Sequence, residues 1–210
     1  MERQVLLSLC GSPPIGFHGQ KMAPLVVLIN GISATGKTTI GRGLAERLGL
    51  PLFAKDAVKE RLFDNLGVND YAWSHHLSST THTVLNYVFE ELLSSGTGFI
   101  MEANFNPKYD AAKYESWREK HGCRLVQVLC WAEGEVVFQR FKKRVESGQR
   151  HPGHNDEAKI EAFRGYLMQG KGAPLAINAP LIEVETTDFS AVDLDALAKR
   201  INEARIGMPS

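Results

Sequence analysis

The chain has 210 residues, 43% of them hydrophobic, and 24 lysines and arginines balance 24 aspartates and glutamates. Its length suits one well-buried domain and is too short for two of full size. The even charge gives no sign of a nucleic-acid or acidic-membrane partner, so any basic patch must be local.

The three cysteines, Cys10, Cys123 and Cys130, lack C-x-x-C spacing. They argue against a disulfide framework or a thiolate zinc site and fit small buried residues in a reducing cytoplasm. No apolar run approaches the roughly 18 residues that a membrane helix needs. The stretch before Pro24 stands apart: "VLLSL" is too short for a signal-peptide core, and "CGSPPIGFHGQ" is rich in turn formers. Residues 1–23 therefore read as a poorly ordered arm, with Met22 as an alternative natural start, and residues 24–210 as the folded domain.

From Pro24 onward, short apolar runs alternate with stretches of helical period, the βαβα pattern of an α/β fold with a parallel sheet covered on both faces. Strands are predicted at Leu25–Asn30, Leu52–Lys55, Gly98–Asn104, Arg124–Trp131 and Leu181–Glu185. After the first strand, Ile40, Leu44, Ala45 and Leu48 keep one helix face apolar, and Gly49 and Pro51 stop that helix. In "THTVLNYVFEELLSSG" the residues Leu85, Val88, Phe89, Leu92 and Leu93 make a core stripe of helical period.

Between the first strand and its helix, "NGISATGKTT" carries Gly31, Gly36, Lys37 and Thr38 at the spacing G-x-x-x-x-G-K-[ST]. Phosphate chains are multiply anionic, so their site needs converging donors and little side-chain bulk. Gly31 and Gly36 let the loop curl so that the N–H groups of Ser33, Ala34, Thr35, Gly36, Lys37 and Thr38 face inward, and the helix start beside Thr39 adds its positive end. Lys37 supplies a charge at the β/γ phosphates, and the Thr38 hydroxyl suits Mg²⁺. ATP with Mg²⁺ is the expected ligand. No N-K-x-D tetrapeptide occurs, which argues against guanine specificity, and the short chain with its own arginines argues against a motor ATPase with arginine fingers supplied in trans.

Those arginines lie in "VVFQRFKKRVESGQRHPGHND". Arg140 and Arg144, spaced i, i+4, project from one helix face and can reach one ligand. Arg150, with His151 and His154 in a Gly/Pro segment, reads as a lid over about residues 140–157, closing on the transferring phosphoryl group and excluding water. Asp56 opens a helix after the second strand, on the edge of the sheet where ligands bind; it is either a plain helix cap or a site carboxylate. Glu102 and Asn104 end the third strand beside the phosphate loop, where a carboxylate serves Mg²⁺ or its waters, or touches substrate. "WSHH", with His75, His76 and then His82, lacks matching metal-ligand spacing; Tyr71, Trp73 and His75 read chiefly as packing and surface, with a secondary reading as acceptor contacts.

In order along the chain, "GISATGKTT", "AKDAVKERLF", "GFIMEANF" and "RFKKR…RHPGH" resemble the small P-loop kinases of the predicted-kinase, zeta-toxin-like (AAA_33-type) group, related to nucleoside-monophosphate, gluconate, shikimate and chloramphenicol kinases. The similarity covers about Leu25 to Asp188. It implies a five-stranded parallel sheet ordered 2-3-1-4-5, a substrate-side helical region after the second strand, a lid between the fourth and fifth, and ATP-dependent phosphoryl transfer to a hydroxyl of a small-molecule acceptor that varies across the group. It implies that Asp56 orients or deprotonates the acceptor hydroxyl, that Arg61 binds acceptor or phosphate, and that Thr187 in "TTD" lines the adenine pocket. A polynucleotide 5′-hydroxyl kinase and a nucleotide-binding regulatory or toxin-like module are the alternatives.

Overall fold

The computed structural model describes residues 23–157 and 160–206. The expectations for Cys10, Met22 and the arm up to residue 22 therefore lie outside the described residues. The five strands are β1 (Leu25–Asn30), β2 (Leu52–Ala54), β3 (Phe99–Glu102), β4 (Arg124–Trp131) and β5 (Leu181–Glu185). All pairings are parallel, in the order β2-β3-β1-β4-β5, as the resemblance implied.

The helices among the described residues are α1 (Lys37–Leu48), α2 (Lys55–Leu66), α3 (Tyr71–Ser94), α4 (Pro107–His121), α5 (Gly134–Glu146), α6 (Ile160–Leu167) and α7 (Leu194–Ile206). Every residue of β1 is buried, because both faces are covered. Leu25, Val27 and Ile29 point toward a core that takes in Ile40 and Leu44 of α1 and Leu197 and Ile201 of α7. Val26 and Leu28 point the other way, to Leu85, Phe89 and Leu93 of α3 and Tyr114 and Trp117 of α4. Burial of side chains of this size contributes about 1.5–3 kcal/mol each, which is what holds the ends of the strands in place. Cys123 and Cys130 are buried free thiols, as expected of core residues, and burial pushes Cys130 up to about 12. No helix among the described residues is long and apolar enough to cross a membrane.

Three boundaries differ from the sequence reading. Lys55 starts α2 instead of ending β2, because the strand's partner ends first: Ala54 pairs with Glu102, the last residue of β3. β3 is shorter than Gly98–Asn104, since the Asn30 side chain accepts from the N–H of Phe105 (3.3 Å) just past it and draws the chain out of the sheet. α3 begins ten residues before the stretch that carries the predicted stripe, at Tyr71, where the Asp70 side chain accepts from Trp73 N at 2.8 Å and caps it. The buried Ser74, Leu77 and Thr81 carry the inward face back to that cap.

Candidate functional site

The site is built where β1 and β3 end. The loop after β1 runs through positive φ at Gly31 (146°), Ala34 (66°) and Gly36 (81°). A Cβ at Gly31 would strike the Cys130 carbonyl, and one at Gly36 would strike the Phe189 ring, so glycine is required twice over. The loop is pinned at its base. Asn30 Oδ1 accepts from Gly31 N (2.8 Å), and Asn30 Nδ2 donates to Ala173 O (3.0 Å). The Thr35 hydroxyl donates to Ile32 O (2.9 Å), and the Thr186 hydroxyl donates to Thr35 O (2.9 Å). Thr35 is thus a brace of the loop through its side chain, a role its place in the motif does not reveal.

Lys37 is buried and its ammonium donates to Ile32 O at 2.9 Å. Burial pulls its pKa down, with Glu102 foremost among the charges working the other way. The Thr38 hydroxyl donates to Glu102 Oε2 (2.8 Å). Glu102 is itself buried, which pushes its carboxyl up, while Lys37 and the Thr38 bond pull it down. Asn104 Nδ2 lies 3.4 Å from the Ser33 hydroxyl across the loop. A hydroxyl and a carboxylate in contact at the loop are hard oxygen donors, few in number, and they fit Mg²⁺, which keeps waters and phosphate oxygens in most of its shell. Among the described residues, the "WSHH" stretch included, no group of three or more histidines, cysteines and carboxylates gathers at metal-binding distance. There Trp73 instead stacks on His76 and bonds Gly67 O at 3.0 Å.

A cleft of about 320 Å³ opens over the loop, walled by Lys37, Thr38, Asp56, Glu102, Arg140, Arg144, Arg150 and Phe189. Arg140 lies over the Phe189 ring (4.6 Å) and donates through Nη2 to the carbonyls of Thr186 and Thr187. Its Nη1, like Nε of Arg144, is buried without a hydrogen-bond partner. Two guanidinium groups at the wall of one cleft supply the charge that an anionic ligand needs.

Arg150, from the lid segment, lines the same cleft and is held there by carboxylates. It donates to Asp56 Oδ2 (2.9 Å) and Asp156 Oδ2 (2.9 Å), and lies 3.5 Å from Glu60. Burial of Asp56 would push its carboxyl up, but Arg150, foremost among the nearby charges, holds it well below the usual carboxylate range. The rest of the lid segment is seated on α2 as well. His151 stacks on Phe63 (5.2 Å between rings), Gly153 packs on the same ring, and His154 Nε2 meets Glu60 at 3.0 Å.

Two expectations need correction. Asp56 is not the cap of α2: Ala54 holds that position and Asp56 falls in the first turn, leaving its carboxylate to the cleft and Arg150. Arg61 is not brought to the cleft; its side chain is 84% exposed and pairs with Asp64 one turn away. Thr187 lines a groove of about 560 Å³ between β5 and α7, where its hydroxyl accepts from Glu133 N, while its carbonyl accepts from Arg140 at the cleft wall. Asn30 and Phe189 escaped the sequence reading as site residues, and the bond from the Thr186 hydroxyl to the loop was not foreseen. An asparagine ending an apolar strand directly before the glycine was the one available signal.

The sheet order, the glycine-pinned loop and the helix that starts at Lys37 define a P-loop nucleotide-binding fold of the α/β class. The family described as AAA domain (AAA_33) matches residues 26–169, and the chain belongs to that family. The arginines lining its cleft come from the same chain. A candidate kinase from Chloroflexus aurantiacus is 34% identical, with 87% of this chain and 98% of that one covered at a TM-score of 0.79. A sugar kinase from Janibacter sp. HTCC2649 (17% identity, 85% and 91% covered, TM-score 0.50) shares the fold. So does an APS kinase from Mycobacterium tuberculosis solved with AMPPNP and APS (16% identity, 87% and 97% covered, TM-score 0.50). No curated protein matches the chain.

Proposed function

We propose that this protein is an ATP- and Mg²⁺-dependent phosphotransferase that moves the γ-phosphoryl group to a hydroxyl of a small-molecule acceptor. The observation that carries the reading is one cleft lined by the phosphate loop with Lys37, by the Asp56 carboxylate and by the arginines Arg140 and Arg144. A cleft of about 320 Å³ is in the range of small-ligand sites. The description of the Chloroflexus relative as a candidate kinase supports the same reaction class.

In this reading the loop N–H groups and Lys37 hold the β and γ phosphates, and Arg140 and Arg144 meet the charge that spreads over the transferring group. Thr38 and Glu102 would hold Mg²⁺, which would supply positive charge to neutralise the phosphates. Asp56 accepts a hydrogen bond from the acceptor hydroxyl, aims its oxygen at the γ-phosphorus and receives its proton as the bond to ADP breaks. Asn104, next to the loop, is placed to contact the acceptor. The lid of about residues 140–157 covers the reaction from water.

Transfer from labelled ATP, screened over pools of sugars, nucleosides, antibiotics and short oligonucleotides, tests the reading. One small-molecule pool is expected to take label, and Asp56→Asn is expected to lower that transfer roughly 10²- to 10⁴-fold with ATP binding retained. Labelling of oligonucleotides alone, or ATP binding with no acceptor in any pool, would favour a polynucleotide kinase or a regulatory module instead.

A further inference from the structure

The contact between the lid and α2 is built from several independent parts, and its most polar one lands on the carboxylate assigned to the acceptor. α2 presents Asp56, Glu60, Phe63 and Asp64 as a stripe of helical period. "RHPGHND" meets it residue by residue. Arg150 takes Asp56 and touches Glu60, His151 takes Phe63 and Asp64, Gly153 lies on Phe63, and His154 takes Glu60. Asp156, from the lid itself, holds the guanidinium from its other side. Arg150 is 14% exposed and Asp156 10%, whereas Asp56 keeps 42% of its side chain open. The arginine is thus fixed and the aspartate faces the cleft.

We propose that Arg150 guards Asp56: paired with the guanidinium, the carboxylate does not activate water, and only an acceptor that displaces Arg150 puts it to use. The inference rests on the phosphotransferase reading. Hydrolysis would need water to attack the γ-phosphorus, the bond to the bridging oxygen to break with its electron pair leaving on ADP, and the water proton to pass to Asp56. An oxygen already accepting from Arg150 in a charge-assisted bond is a poor recipient for that proton. A water molecule brings too little binding energy to break the pair. An acceptor brings the contacts of its non-reacting parts, and these can be spent on displacing the arginine. Arg150 is a positioning residue in this scheme, in contrast to the direct phosphate contact its sequence context implied.

The test is phosphate release from ATP and Mg²⁺ without acceptor, measured in the wild-type chain, Arg150→Gln, Asp56→Asn and the double variant, with AMPPNP affinity measured by calorimetry in each. Arg150→Gln is expected to raise hydrolysis at least tenfold, with the rate falling again on acidification into the ordinary carboxylate range near pH 4. The double variant is expected to lose that rise. Arg150→Lys keeps the charge but cannot span Asp56 and Asp156 together; it gives a smaller rise and stands in should Arg150→Gln not fold. An unchanged or lower rate in both Arg150 variants, or a rise that survives Asp56→Asn, overturns the guard while retained AMPPNP binding leaves the phosphotransferase reading standing. Failure of the wild-type chain to bind AMPPNP would sink both.

Discussion

The hydroxyl of Thr38 donates to the carboxylate of Glu102 at 2.8 Å, joining the first turn of α1 to the end of β3 across the phosphate loop. Two residues 64 positions apart thus share one point in space, and both offer oxygen to a hard cation. Glu102→Gln keeps the shape and removes the charge. Mg²⁺ affinity in the presence of AMPPNP is expected to fall roughly ten- to a hundredfold, the range seen when a residue orienting a metal's shell is lost. Because burial of Glu102 works against its charge, the melting temperature is expected to hold or rise slightly. Unchanged Mg²⁺ affinity would assign Glu102 to the acceptor instead.

Lys37→Ala removes an ammonium that bonds only within the loop in this structure, to Ile32 O. A charge-assisted bond to phosphate is worth about 1.5–3 kcal/mol, so ATP affinity by calorimetry is expected to drop roughly ten- to a hundredfold. Folding is expected to change little, since burial already disfavours the charge. Equal affinity in the variant would remove the phosphate role of Lys37.

Much of this arrangement was legible in the sequence because it is local. The alternation of apolar runs and helical stretches gave all five strands, and the loop's glycines and lysine carry their chemistry at fixed spacing. The sheet order came from resemblance. What stayed hidden is the chain's long-range pairing. Nothing in "TTDF" says that Phe189 closes on Gly36 while the Thr187 hydroxyl meets Glu133 N, and nothing in "RHPGH" says that its arginine meets Asp56, 94 positions earlier. Helix starts were misread for a related reason. Asp56 looks like a cap, yet the last β2 partner is Ala54, so the helix begins two residues too early for Asp56 to cap it.

The seat of the lid carries a pH dependence. Burial, then Arg150, pulls His154 down to about 3, so it is neutral on Glu60 near neutral pH, with Asp56, Lys55 and Lys59 nearby. The unfolded or lifted imidazole titrates near 6.5. Between about pH 6.5 and 3 the lifted state therefore binds more protons than the seated one, and stability of the seat falls as pH falls. Asp56 adds to this in the same direction: its carboxyl is depressed, so its contribution is present above the ordinary carboxylate range and lost as pH drops through it. Protection factors at residues 150–157, taken from exchange rates corrected for the pH dependence of intrinsic amide exchange, are expected to fall from pH 6.5 downward. His154→Gln is expected to remove the part above about pH 4.5 and leave the carboxylate part below it. A flat profile in the wild-type chain would contradict the buried neutral imidazole.

Gly153→Ala tests the mechanical side of the same seat. A Cβ at Gly153 would stand 2.5 Å from the Phe63 ring, and Phe63 is only 2% exposed, so the ring has little room to yield. The loop must lift, and Arg150 must leave Asp56 with it. Exchange protection at residues 150–156 is expected to drop at least tenfold while the sheet keeps its protection, because the segment lies on the surface of α2 and outside the central core. Phe63→Leu in the Gly153→Ala background makes space for the new methyl group. It is expected to restore part of the protection, whereas Phe63→Leu alone lowers it by removing the stack with His151. Rescue in the double variant would tie the effect to this one contact; equal loss in the single and double variants would mean that the glycine is needed for some other reason.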